Sequence, residues 1–139
     1  MKAAAIDVGS NTVKMTVAER SPDGQTSVVK ERADFTRIGE GLDQTGRLQP
    51  EAIERTLAAV TSYVKTAREL GADRIAAVGT AGLRGAQNAD VFLQRARNEA
   101  GVDIEVIAGH REASLAYRAP AAEYGPGSMV VVDIGGRST

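Results

Sequence analysis

The chain has 139 residues, 42% of them apolar and 25% charged, and a formal net charge of -1. That balance suits one globular domain able to bury roughly two thirds of its unfolded surface, and it excludes a strongly basic nucleic-acid footprint or a polybasic membrane patch. With no cysteine, and His110 as the single histidine, a disulfide framework, a thiol nucleophile, a zinc-thiolate site and a histidine metal cluster are excluded too.

Residues 3–8 form a short apolar run ending in Asp-x-Gly, the pattern of a buried strand entering a tight turn. Val13, Met15 and Val17 alternate with Lys14 and Thr16, the period of a half-buried strand. Ser21-Pro22-Asp23-Gly24 is a turn, because proline presets φ and glycine accepts a positive one. A third, more charged strand is predicted over 27–35, followed by a polar, glycine-rich loop over 36–49. Pro50 opens the clearest helix, over 50–70, with Ile53, Leu57, Val60, Val64 and Leu70 on one stripe and Gly71 closing it. A strand is predicted over 74–79. Asn88 suits the N-cap of a helix over 89–100, which Gly101 ends. A strand over 103–108, a helix over 111–124 interrupted near its end by Pro120, and a strand over 128–134 complete the chain. The order β-β-β-α-β-α-β-α-β predicts an α/β fold with a mixed sheet and helices on its faces.

Four segments carry candidate chemistry. In Asp7-Val8-Gly9-Ser10-Asn11-Thr12-Val13-Lys14, a Gly-Ser turn after a strand-end aspartate offers backbone and side-chain donors to an anion, with Lys14 as a cation. A carboxylate beside a phosphate site is usually explained by a divalent cation. The same residues also suit a plain hairpin turn. Val132-Asp133-Ile134-Gly135-Gly136-Arg137-Ser138-Thr139 repeats the design, and two such turns across a cleft would bracket a phosphate chain and a metal ion. Gly79-Thr80-Ala81-Gly82-Leu83-Arg84 suits phosphate recognition at a helix start with Arg84 as a fork donor, or a βα-loop with a surface arginine. Ala108-Gly109-His110-Arg111-Glu112-Ala113 puts Glu112 at a strand-to-helix junction, as a general base or as a favourable charge on a helix N-terminus.

Taken in order, Asp7-x-Gly-Ser-Asn-Thr-Val, Gly79-Thr80-x-x-Leu83-Arg84, Asn88-x-x-x-Phe92-Leu93, Ile104-Glu105-Val106-Ile107-x-Gly109-x-x-Glu112-Ala113 and Val132-Asp133-Ile134-Gly135-Gly136-x-Ser138-Thr139 resemble the N-terminal part of the exopolyphosphatase / guanosine pentaphosphate phosphohydrolase family. The resemblance covers nearly the whole chain. It implies an actin-like (ribonuclease H-like) lobe. The implied enzyme is a phosphoanhydride hydrolase that uses magnesium to release terminal phosphate from polyphosphate or guanosine pentaphosphate. On that likeness Glu112 is the base that activates water. Gly9, Ser10, Asn11, Thr12, Lys14, Thr80, Arg84, Gly135, Gly136, Arg137 and Ser138 bind phosphate, and Asp7 and Asp133 hold the metal ion.

The chain departs from the family pattern in three places. Arg137 stands where the family usually has a third glycine, and His110-Arg111 replaces the commoner acidic or polar pair before the glutamate. The family also continues beyond this loop with a further glutamate and a second lobe. Residues 1–118 are therefore expected to form the lobe, and 119–139 a linker with the first strand and phosphate loop of the next, in a longer native protein. An unpaired strand there would be prone to association, and the 139-residue chain by itself is expected to be inactive. Two other readings stay open: a sugar- or acetate-type kinase of the same superfamily, and a non-catalytic polyphosphate- or nucleotide-binding module. The absence of a long apolar run or a leader pattern predicts a soluble cytoplasmic protein with no nucleic-acid or membrane partner, and leaves a homodimer of the full-length protein open.

Overall fold

The computed structural model describes residues 1–125 and 129–137. Strand β1 (Lys2–Val8) turns back on β2 (Val13–Arg20) with Val8 opposite Val13 and Asp7 opposite Lys14. β2 pairs with antiparallel β3 (Thr26–Asp34). On its other side β1 pairs with parallel β4 (Arg74–Gly79), and β4 with parallel β5 (Ile104–Val106). The sheet order is β3-β2-β1-β4-β5. Val8 lies opposite Gly79 and Gly79 opposite Val106, so the three parallel strands end level. Ligand-binding loops of α/β sheets collect at such carboxyl ends.

Strand alternation divides the sheet into two unlike faces. Ala4, Ile6, Val8, Val13, Met15 and Val17 are buried on one of them. Helix α2 (Pro50–Glu69) covers that face with Ile53, Leu57, Val60 and Val64, a stripe at steps of three and four. Each such side chain contributes roughly 1.5–3 kcal/mol when fully buried. Tyr63 is buried beside them, and its hydroxyl donates to the Val13 carbonyl at 3.3 Å. Helix α4 (Ala89–Arg95), widening to π-type hydrogen bonding over Ala96–Ala100, adds Phe92 and Ala96. Asp7 and Lys14 belong to the other face, which α2 leaves open.

Several local expectations change. The segment 36–49 is not wholly loop: it holds one helical turn, α1 (Leu42–Thr45), and buries Ile38, Leu42 and Leu48 against the core. Asn88 makes no side-chain cap. Its amide instead pairs with the backbone of Leu48, accepting at 2.8 Å and donating at 3.2 Å, so a tertiary contact displaces the local one. A single turn, α3 (Ala81–Arg84), follows β4. The last helix among the described residues, α5 (Gly109–Tyr124), begins two residues early and runs through Pro120.

The strand predicted over 128–134 is not formed by residues 129–134, and Ser128 lies outside the described residues. Val130, Val132 and Ile134 are exposed there. A β-branched run needs a ladder partner to become a strand, and it pairs with none among the described residues. Among those residues no helix is long and apolar enough to cross a membrane.

Candidate active site

The turn between β1 and β2 is closed from inside by the Gly9 N–H, which donates to the Thr12 carbonyl at 3.1 Å. A Cβ on Gly9 would lie 2.9 Å from that oxygen, so the turn requires glycine. With the Gly9 N–H used this way, the turn's remaining donors are those of Ser10, Asn11 and Thr12. Two neighbours brace it. The Arg37 and Gly39 N–H groups donate to the Asn11 and Ser10 carbonyls at 3.0 and 2.9 Å. Gly82 of α3 packs so close that a Cβ there would sit 2.9 Å from Ser10 Oγ.

One pocket of about 200 Å³ gathers most of the candidate residues at the level ends of the parallel strands. The hairpin contributes Asp7, Gly9, Ser10, Asn11, Thr12 and Lys14. Thr80, buried at the end of β4, and Glu112, on the first turn of α5, form the adjoining walls. The C-terminal segment closes it with Asp133, Ile134, Gly135 and Gly136. Ser138 lies outside the described residues.

Arg84 and Arg137 stand apart from that pocket. Arg84 Nη1 donates to the Ile107 carbonyl at 2.7 Å and to Glu112 Oε2 at 2.8 Å. It therefore ties the end of β5 to the first turn of α5, with Glu112 between itself and the pocket. Arg137 pairs with Asp43 at 2.5 Å and joins the C-terminal segment to α1. A larger cleft of about 720 Å³ runs from Arg84 and Glu112 past Tyr117 to Val132, Asp133 and Arg137. His110 is exposed, and Arg111 pairs with Glu105.

Asp7 is the electrostatic centre of the pocket. Burial pushes its carboxyl above the ordinary carboxylate value, Lys14 opposes the shift, and the charges of Glu112 and Asp133 add to it. Asp7 Oδ1 is buried without a hydrogen-bond partner among the described residues. An orphaned carboxylate oxygen beside a second carboxylate is a donor set suited to a hard divalent cation. Among the described residues no group of three or more His, Cys, Asp or Glu side chains is placed to hold a metal ion. A cation at Asp7 and Asp133 would complete its shell with water and phosphate oxygens, which is how magnesium is commonly held.

Sequence reasoning missed two lining residues. Arg37 sits in a segment that reads as a featureless glycine-rich loop, and its place beside Asn11 follows from tertiary hydrogen bonds with no local signature. Tyr117 reads as one more residue of a helix.

A mixed sheet with α2 on one face and glycine turns at its carboxyl edge defines a lobe of the actin-like (ribonuclease H-like) α/β class. More narrowly, the chain belongs to the Ppx/GppA phosphatase family, whose profile matches residues 16–139. It is 40% identical to a Guanosine-5'-triphosphate,3'-diphosphate pyrophosphatase of Vibrio vulnificus, over 98% of this chain and 27% of that protein. It is 36% identical to Exopolyphosphatase 2 of Mycobacterium tuberculosis, over 99% of this chain and 46% of that one. A solved structure of the Aquifex aeolicus PPX-GPPA enzyme matches with a TM-score of 0.85 at 40% identity, over 91% of this chain and 42% of that one. The chain thus spans less than half the length of these relatives.

Proposed function

We propose that this chain is the N-terminal lobe of a phosphoanhydride hydrolase that releases terminal phosphate from inorganic polyphosphate, guanosine pentaphosphate or both. The observation that carries this reading is the convergence of Glu112, Asp7 and Asp133 with the Ser10–Thr12 turn in one 200 Å³ pocket.

Phosphoryl transfer asks little covalent help of a protein. It needs an in-line water, a group to take its proton, and compensation of charge on the phosphate oxygens. Ser10, Asn11, Thr12 and Thr80 supply neutral donors at one side of the pocket, and Lys14 a cation. Gly135 and Gly136 line the opposite side without side chains, so backbone comes close to the substrate. A magnesium ion held by Asp7 and Asp133 would neutralise phosphate charge when bound. Glu112 takes the proton of the attacking water, and Arg84 keeps the Glu112 carboxylate turned to its place. In this reading a second lobe completes the site and the isolated chain is inactive, as the more than twofold length of the relatives suggests.

The test is Glu112→Gln in the full-length protein. Loss of the general base lowers phosphate release by about 10²–10⁴-fold, with polyphosphate binding kept within a few-fold. Unchanged turnover removes Glu112 as the base. Production of ADP with a small acceptor, in place of free phosphate, would establish a kinase.

A further inference from the structure

Beside the phosphate cradle lies a second pocket of about 380 Å³. Ser10, Asn11 and Gly136 line both, so the two share a wall. Arg37, Glu40, Asp43 and Arg137 complete its lining.

Arg37 has φ +51, and it is the only residue other than glycine with a positive φ among the described residues. Strain of this kind is uncommon outside glycine and tends to persist at binding sites, where the surroundings enforce it. Here three backbone hydrogen bonds do so. The Arg37 N–H donates to Asn11 at 3.0 Å, the Glu40 N–H to Arg37 at 2.9 Å, and the Gly39 N–H to Ser10 at 2.9 Å. Arg37 is thus built onto the phosphate turn itself.

The charges around it are already matched. Arg55 holds Glu40 at 2.5 Å, and Arg137 holds Asp43 at 2.5 Å. Among the described residues the Arg37 guanidinium makes no hydrogen bond or ion pair. Among the described residues the pocket therefore has one cation without a partner, the exposed Arg37, whose backbone is held against the turn where a terminal phosphate would sit. A guanidinium is the side chain best matched to a second phosphate through paired N–H donors.

We infer that Arg37 is a specificity-determining residue that binds the phosphates following the terminal one, so that a linear phosphoanhydride chain leaves the cradle over Ser10 and Asn11 toward Arg37. This rests on the phosphoanhydride reading of the first pocket. The shared chemistry is a triphosphate or longer chain, free or on a nucleoside.

The test is calorimetric titration of the full-length protein with orthophosphate, tripolyphosphate, a long-chain polyphosphate and guanosine 5'-triphosphate, in magnesium buffer. The variants are Arg37→Ala, Arg37→Lys and Arg37→Gly. The glycine variant relieves the backbone strain while removing the guanidinium, so it stays folded if the alanine variant does not. Loss of a charge-assisted hydrogen bond weakens tripolyphosphate and longer chains by about 10–100-fold, leaves orthophosphate within twofold, and is partly restored in Arg37→Lys. Such a loss for either the free or the nucleoside triphosphate supports the assignment and names the source of the chain. Equal loss for orthophosphate and the chains, or no loss for any, overturns the role of Arg37 alone. Wild-type protein that binds no phosphate of any length overturns the reading of the first pocket and this inference together.

Discussion

Arg84 and Glu112 are joined by a 2.8 Å hydrogen bond between Nη1 and Oε2, and the same nitrogen reaches the Ile107 carbonyl at 2.7 Å. The two side chains are 28 positions apart in sequence and meet because β4 and β5 end level. The pair is only about one quarter exposed, so solvent screens it less than a surface pair. Glu112 therefore enters the pocket with one carboxylate oxygen already oriented.

Arg84 is accordingly expected to act as a positioning residue. In the full-length protein Arg84→Ala is expected to lower kcat by about tenfold or more with little change in KM, the signature of an interaction felt in the transition state. Arg84→Lys should recover part of the rate. In a Glu112→Gln background Arg84→Ala should cost little more, because residues acting as a unit are not additive. Steady-state kinetics of the wild type and the four variants decide this, and a KM effect alone would assign Arg84 to substrate binding.

Asp7 gives a pH prediction whose sign follows from its raised carboxyl value. Burial is the main cause, with Lys14 opposing and Glu112 and Asp133 reinforcing it. The folded state binds the proton more tightly than the unfolded chain does. The corresponding stability is complete below the ordinary value of 3.8 and is lost as pH rises through the folded one. Asp7→Asn, with no charge to desolvate, should be more stable than wild type at neutral pH in the presence of chelator, and the difference should vanish toward acid. Denaturant unfolding at a series of pH values measures the gap. The same variant should lose magnesium-dependent phosphate release.

Two glycines separate contact from backbone strain. At Gly82 an alanine Cβ would meet Ser10 Oγ at 2.9 Å and Ser10 Cα at 3.1 Å. Forcing α3 away from the phosphate turn costs about 1–3 kcal/mol and should weaken phosphate binding as well. Gly71 has φ +76 and open space around it. Gly71→Ala should cost about 1–2 kcal/mol through backbone strain alone and leave binding untouched. Thermal melts paired with phosphate titrations distinguish the two.

The 139-residue chain alone should release no phosphate from polyphosphate above the buffer rate, even with magnesium. Asp133 is exposed on a segment that pairs with no strand among the described residues, and the Arg137–Asp43 ion pair stands in place of a sheet ladder there. A malachite-green assay on the purified chain checks this, and robust turnover would show that one lobe suffices.

Much of the lobe was legible in the sequence. The α2 stripe, the Gly9 turn and the alternation of β1 and β2 are local patterns, set by 3.6- and 2-residue periods and by glycine at a closed turn. The Asp7-x-Gly and Asp133-x-Gly turns, alike in sequence, line one pocket. The readings that changed involve partners far along the chain. Asn88 abandons its cap for Leu48, and the β-branched run before Asp133 stays unpaired among the described residues.

The boundary between these two kinds of information is physical. Backbone periodicity and turn sterics act over a few residues, so composition and spacing alone specify the elements, their order and the two glycine loops. Which cation faces which carboxylate depends on sheet register and on the level ends of β1, β4 and β5. Those are the features that place Arg84 against Glu112, while tertiary backbone hydrogen bonds set Arg37 beside the turn of Ser10 and Asn11.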